Sequence, residues 1–172
     1  ILSWPLPLHL GDVAATGVAK RQTEELHVRA MIPSDHLQFI YYLWLAGDYV
    51  TGKTPFFYNV YEFNLGDDAE RYRPGAYYFP WNMIFAAVEA VSNRAVAWNL
   101  LALIALGLLA WFTFLLVRRY TDRTAEAWVG VLLALVFPYQ WIQLLGGSPA
   151  GFGMVLMPML FLGVDLAVRD ER

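Results

Sequence analysis

Apolar positions along this chain fall into two regimes. Up to about residue 80 they are broken often by charged residues, prolines and glycines. Beyond it they run almost without interruption: residues 95–117 form 23 positions with no charge, and residues 127–164 form 38. At 1.5 Å per helical residue the first run covers roughly 35 Å, enough for a hydrocarbon core of about 30 Å. The pattern predicts membrane spans at about 95–117, 125–143 and 152–168, with Pro138 as a kink or helix end in the second. Residues 80–91 are apolar but short and carry Glu89. At roughly 18 Å they read as a juxtamembrane or half-inserted helix.

The front half has a different texture. Residues 3–34 are punctuated by Pro5, Pro7, Gly11, Gly17 and Pro33 and read as irregular surface structure. Ser34 is a good N-cap for a helix over about 35–49, and Asp35 in its first turn suits the positive end of the helix dipole. Phe39, Ile40, Leu43, Trp44 and Ala46 make a broad apolar stripe, which reads as an amphipathic helix at the membrane interface. Gly52 and Pro55 stop it. Residues 55–80 are rich in Tyr and Phe, which suits the headgroup layer, and the polar loop 64–71 interrupts them. The expected fold is therefore all-α integral membrane: a multispanning helical bundle with an outer loop bearing amphipathic juxtamembrane helices. Residues 1–80 form the extracytoplasmic loop, and residues 81–172 the transmembrane region.

Composition sharpens this picture. Charged residues make up 16% of the chain, against about 25% in a soluble domain, and the mean hydropathy is +0.42. The absence of cysteine excludes structural disulfides, zinc ribbons and thiol chemistry. A net charge of −3 without a basic stripe argues against nucleic acid as a partner. The chain opens on apolar residues from Ile1 with no basic stretch before them, so it lacks a signal-peptide pattern and reads as a piece of a longer protein. Arg118, Arg119 and Arg123 lie between two expected spans, and Arg169 and Arg172 follow the third. The positive-inside rule places both groups in the cytoplasm of a multi-pass cell-membrane protein, with residues 1–80 and the 144–151 turn outside.

Candidate chemistry is sparse. There is no phosphate-binding Gly loop, GxSxG or HExxH, and His9, His27 and His36 are not at metal-ligand spacing. Asp35, followed by His36 at the start of a helix in an outer loop, fits three roles: a general base for an incoming hydroxyl, a ligand for a divalent cation near a phosphate, or an ordinary first-turn residue. Glu62, Asp67, Asp68 and Glu70, with Arg71 and Arg73 behind them, fit either a clamp for a metal-phosphate group or a solvated loop with local ion pairs. Asn99 and Asp165 are polar positions within apolar runs. Asp165 stands four residues before Arg169, so the spacing predicts a local pair near a helix end; Glu89 is similarly near Arg94.

The order of these features resembles a known group. The stretch from Trp4 to Asp12 precedes Asp35-His36-Leu37-Gln38-Phe39-Ile40-Tyr41-Tyr42-Leu43-Trp44, then Gly52-Lys53-Thr54-Pro55-Phe56-Phe57, Ala97-Trp98-Asn99-Leu100-Leu101, Leu116-Val117-Arg118-Arg119-Tyr120-Thr121 and Ala134-Leu135-Val136-Phe137-Pro138-Tyr139. This is similar to the N-terminal part of bacterial multispanning proteins of the GT-C glycosyltransferase superfamily. The resemblance implies a catalytic Asp in the first outer loop, here Asp35, and a polyprenyl-phosphate sugar as donor. It implies His36, Arg71 and Arg73 as substrate contacts, with the arginines on the phosphate; a divalent cation, Mg or Mn, is compatible with the scheme. Membrane lipid is the other implied partner. Two readings compete: a non-catalytic membrane protein of the same architecture in envelope or lipid handling, and a secondary transporter. The second expects ionisable groups at mid-membrane, which residues 95–117 and 127–164 lack.

The topology has a direct test. Cysteines introduced singly at Ser34 and Thr121 should react with an impermeant thiol reagent from opposite sides of the membrane; labelling from one side would overturn the orientation.

Overall fold

The computed structural model describes residues 8, 10–12, 34–55, 58–59, 61, 73–74, 78–139, 144 and 149–169; for 34–38, 58–59, 73–74 and 149–150 it describes the backbone alone. The elements are α1 (Ser34–Val50), β1 (Tyr58–Asn59), β2 (Arg73–Pro74), α2 (Trp81–Glu89), α3 (Arg94–Arg118), α4 (Thr124–Val136), α5 (Pro149–Val155) and α6 (Met157–Arg169). The described fold is essentially helical. Its only strand pairing is the two-residue antiparallel match of Tyr58 with Pro74 and Asn59 with Arg73. The chain divides into two compact units within α3, between Leu101 and Ala102.

In the first unit, residues 1–15 and 34–101, α1 packs on α2. α1 ends where Gly52 takes φ +71, a left-handed conformation that only glycine adopts without a steric penalty. The amides of Gly52 and Lys53 turn back to the carbonyls of Tyr49 and Asp48, satisfying the last turn. Phe39, Tyr42, Leu43, Leu45, Ala46 and Tyr49 are all buried. Of the stripe read as a membrane-facing surface, Phe39, Leu43 and Ala46 are thus covered by protein, whereas Ile40 and Trp44 are half-buried. Phe39 is the pivot: its ring meets Tyr78 edge-on at 4.4 Å and Trp98 at 5.6 Å. Such pairs contribute roughly 0.5–1.5 kcal/mol each beyond the area they bury. α3 opens with an N-cap: Asn93 Oδ1 accepts from the Val96 amide at 3.0 Å, while its Nδ2 donates to the Gly11 carbonyl at 3.1 Å.

In the second unit, residues 16–33 and 102–172, α4 lies against the C-terminal part of α3. The approach is close at Gly130, where a Cβ would come 2.9 Å from Val117 Cγ2. Phe114 and Trp128 meet nearby at a tilt of 49°, with ring centres 5.1 Å apart. α4 stops at Val136, because Phe137, the residue before Pro138, turns to extended backbone (ψ 115). The last span pattern is interrupted once, at Leu156, between α5 and α6. Pro158 explains the break, since it has no N–H for the carbonyl of Met154 and its ring crowds that oxygen.

Among the described residues two helical stretches are long and apolar enough to cross a membrane: Arg94–Arg118 and Gly151–Arg169. Three had been expected. α4, with 13 residues, covers only about 20 Å and falls short; residues 140–143 of the expected span lie outside the described residues. The apolar surface of these helices is largely uncovered. Less than a third of either spanning window is buried, and α4 buries only Ala127 and Val131. A core helix of a water-soluble domain hides its apolar face.

Gly130 yields a stability test. In an ordinary exposed helix site Gly→Ala gains up to about 1 kcal/mol. Here the β-branched Val117 blocks the added carbon, so Gly130→Val should destabilise the second unit by about 1–3 kcal/mol, read as a lower unfolding midpoint in detergent. An unchanged midpoint would mean that the two helices do not meet at this site.

Candidate functional site

Asp35 and His36 lie in the first turn of α1, as the sequence suggested, but the helix begins one residue earlier, at Ser34. Their side chains are outside the described residues, as is all of Arg71. Arg73 is placed by its backbone, paired with Asn59. Glu62, Asp67, Asp68 and Glu70 also lie outside the described residues. Among the described residues no group of three or more His, Asp or Glu is placed to hold a metal ion.

The first unit holds a buried carboxylate at the other end of α1. Asp48 is buried; Tyr61 Oη donates to its Oδ2 at 2.7 Å, and Lys53 Nζ lies 3.4 Å from its Oδ1. The hydrogen bond to Asp48 is the main reason the Tyr61 hydroxyl titrates above its ordinary value, with desolvation and the Asp48 charge adding to it. Tyr78 is also pushed up, by burial first and by Tyr42 second. Trp44 carries Tyr61 at 5.7 Å between ring centres and the Arg94 guanidinium at 5.4 Å, and Arg94 Nε donates to Glu89 Oε1 at 2.8 Å. The sequence anticipated the Glu89 pair. It did not mark Asp48, whose burial is offset by Lys53 and by the Tyr61 hydroxyl from 13 residues further on.

Asn99 serves packing within the same unit. It is buried, and its Nδ2 donates to the Leu10 carbonyl at 2.9 Å, which pins the early segment to α3.

Among the described residues of the second unit, a polar cluster forms around one carboxylate. Asp165, buried on α6, accepts from Arg119 Nε at 3.0 Å on Oδ2, and from Tyr120 Oη at 2.7 Å and Arg169 Nε at 2.8 Å on Oδ1. The Arg169 guanidinium lies over the Tyr120 ring, 4.7 Å from its centre. The hydrogen bond to Asp165 raises the Tyr120 pKa, desolvation and the Asp165 charge act the same way, and the nearby arginines oppose them. A groove of about 600 Å³ runs beside the cluster, with Leu116, Phe161, Val164 and Val168 on its apolar walls and Tyr120, Asp165 and Arg169 at its polar end. The i,i+4 spacing revealed Arg169 as a partner; Arg119 and Tyr120, 46 and 45 residues away, carried no such signal. Comparison of the chain with known protein families, with curated proteins and with solved structures found no match.

The Tyr61 contact is testable. Tyr61→Phe should lower stability by about 1 kcal/mol, the low end for a hydrogen bond to a charge because Tyr61 is 47% exposed. A hydroxyl whose pKa is raised on folding stabilises below its unfolded pKa, here 10.0, and that contribution is lost as pH rises through the folded value. The gap between wild type and Tyr61→Phe, measured by denaturant titration, should therefore close above about pH 10. A gap independent of pH would exclude the hydroxyl as its cause.

Proposed function

We propose that the chain belongs to a multispanning cell-membrane glycosyltransferase of the GT-C type, moving a sugar from a polyprenyl-phosphate donor to an acceptor outside the cytoplasm. The observation that carries the membrane part is the outward apolar surface of α3, α4 and α6: Trp111, Trp128, Leu132, Leu133, Leu160, Phe161 and Val164 are all exposed. Water penalises such a surface, whereas hydrocarbon accepts it. The transfer part rests on the resemblance, and the position of Asp35 supports it. A carboxylate in the first turn of a 17-residue helix is favoured in its charged form by the partial positive charge at the helix start. An ionised carboxylate is what a base for an acceptor hydroxyl requires.

The chemistry asks little of the protein. The phosphate of the donor is already a good leaving group, so the protein needs a base for the acceptor and cationic groups for the departing charge. Asp35 takes the first role, Arg71 and Arg73 the second, and His36 contacts substrate beside the base. A divalent cation bound by the neighbouring acids would serve the phosphate in the same way.

Asp35→Asn should reduce transfer from a lipid-linked sugar donor by at least roughly 100-fold, with insertion and helical content unchanged. Near-normal transfer would return Asp35 to a first-turn helix residue. A wild-type protein without transfer activity in its complete form would favour a non-catalytic protein of the same architecture.

A further inference from the structure

We infer that the groove between the C-terminal ends of α3 and α6 binds an anionic glycerophospholipid, with the phosphate at Arg169 and the first acyl carbons along the apolar wall. The inference rests on the membrane placement proposed above and not on the transfer reaction. At about 600 Å³ the groove has room for a headgroup and the start of a chain, and its two ends differ in character. Phe161, Val164 and Val168 are one or two turns apart on α6 and offer a continuous apolar strip facing Leu116 and Val117 of α3. The strip leads to the cluster around Asp165, where both spanning helices end.

The charge balance decides which headgroup fits. Asp165 contributes one negative charge, but its two oxygens are already committed to three donors. Arg119 and Arg169 contribute two positive charges, which leaves the cluster with a net charge of about +1. The carbonyl ends of α3 and α6 oppose an anion, with about half a charge each at most, and the arginines of the last turns offset them. Among the described residues Arg169 uses only its Nε toward a carboxylate. A guanidinium has four further N–H groups, and its side chain is 55% exposed. The Tyr120 ring beneath it holds the plane in place, so less rotamer freedom is lost when a phosphate docks. A zwitterionic lipid would bring a second cation to an already cationic site. An anionic phospholipid matches both ends of the groove, and basic pockets between cytoplasmic helix ends are a known setting for such headgroups.

The test uses the full chain in nanodiscs of phosphatidylcholine with a minority of phosphatidylglycerol, followed by detergent extraction and mass-spectrometric counting of the lipids that stay bound. Phosphatidylglycerol should be retained in excess of its share. Arg169→Gln should cut that excess roughly tenfold, the size of one charge-assisted hydrogen bond. Arg123→Gln should leave it unchanged, because Arg123 lies outside the groove and pairs with Glu126. Asp165→Asn removes the competing carboxylate and should raise retention. This variant also decides the matter if Arg169→Gln loses helical content: a rise supports the site, while no rise overturns it. Equal losses in Arg123→Gln and Arg169→Gln, or displacement of the lipid by excess inorganic phosphate, would overturn it as well. Failure to enter nanodiscs would overturn this site and the membrane placement together, whereas entry without anionic preference would overturn the site alone.

Discussion

A carboxylate withdrawn from water near the end of an apolar helix must be compensated by other side chains, and in the second unit Asp165 is held by two arginines and a tyrosine hydroxyl. Removing a charge from water costs several kcal/mol even after relaxation, so Asp165 has no stable position without its partners. Arg169 reaches it from the next turn of the same helix; Arg119 and Tyr120 reach it from the chain that follows α3. The second pair ties the end of α3 to α6, and Gly130 lets α4 close on Val117 beside that junction. The cluster also creates a polar floor for the groove, without which the space between these helices would be lined by apolar groups alone.

The first unit solves a related problem with aromatic rings. Phe39 sits between Tyr78 and Trp98, so residues from α1, the segment before α2, and α3 share one ring cluster. Two of the polar side chains caught inside have specific partners, whereas Thr54 Oγ1 and Asn82 Oδ1 are buried without a hydrogen bond among the described residues. Asp48 has Tyr61 and Lys53, and Asn99 has the Leu10 carbonyl. Buried polar groups of this kind stabilise little on balance, but leaving one unmatched is costly, so they favour one arrangement of the surrounding segments. Asp35, at the other end of α1, stands on a helix anchored by this packing along much of its length. A functional residue in that position would inherit its placement from the ring cluster.

The apolar surface of the second unit links structure to setting. α3 is apolar on all sides, and α4 and α6 turn large side chains outward. In water this surface would drive aggregation; in a bilayer, or against further helices of a longer chain, it carries no penalty. The shorter length of α4 fits the same setting, because a helix that does not span by itself is tolerated where neighbouring protein covers its ends. The proposed lipid site belongs to this setting too, as it lies where the two apolar stretches long enough to span meet their terminal arginines.

Local chemistry was readable from the chain alone. The charge-free runs located α3 and the α5–α6 stretch, the Pro138 position marked the end of α4, and Gly52 and Pro55 marked the end of α1. The pairs Glu89–Arg94 and Asp165–Arg169 were legible because their partners are five and four residues apart. Each of these depends on dihedral preferences or on neighbours within about a turn, which a linear pattern records. The burial of α1 was not legible, because an apolar stripe looks the same whether lipid or protein covers it. Nor were the roles of Asp48 and Asn99, or the joining of Arg119 and Tyr120 to Asp165, since these contacts link residues between 13 and 89 positions apart. Only the packing of whole elements decides which distant donor meets a buried acceptor, and no local preference encodes that choice.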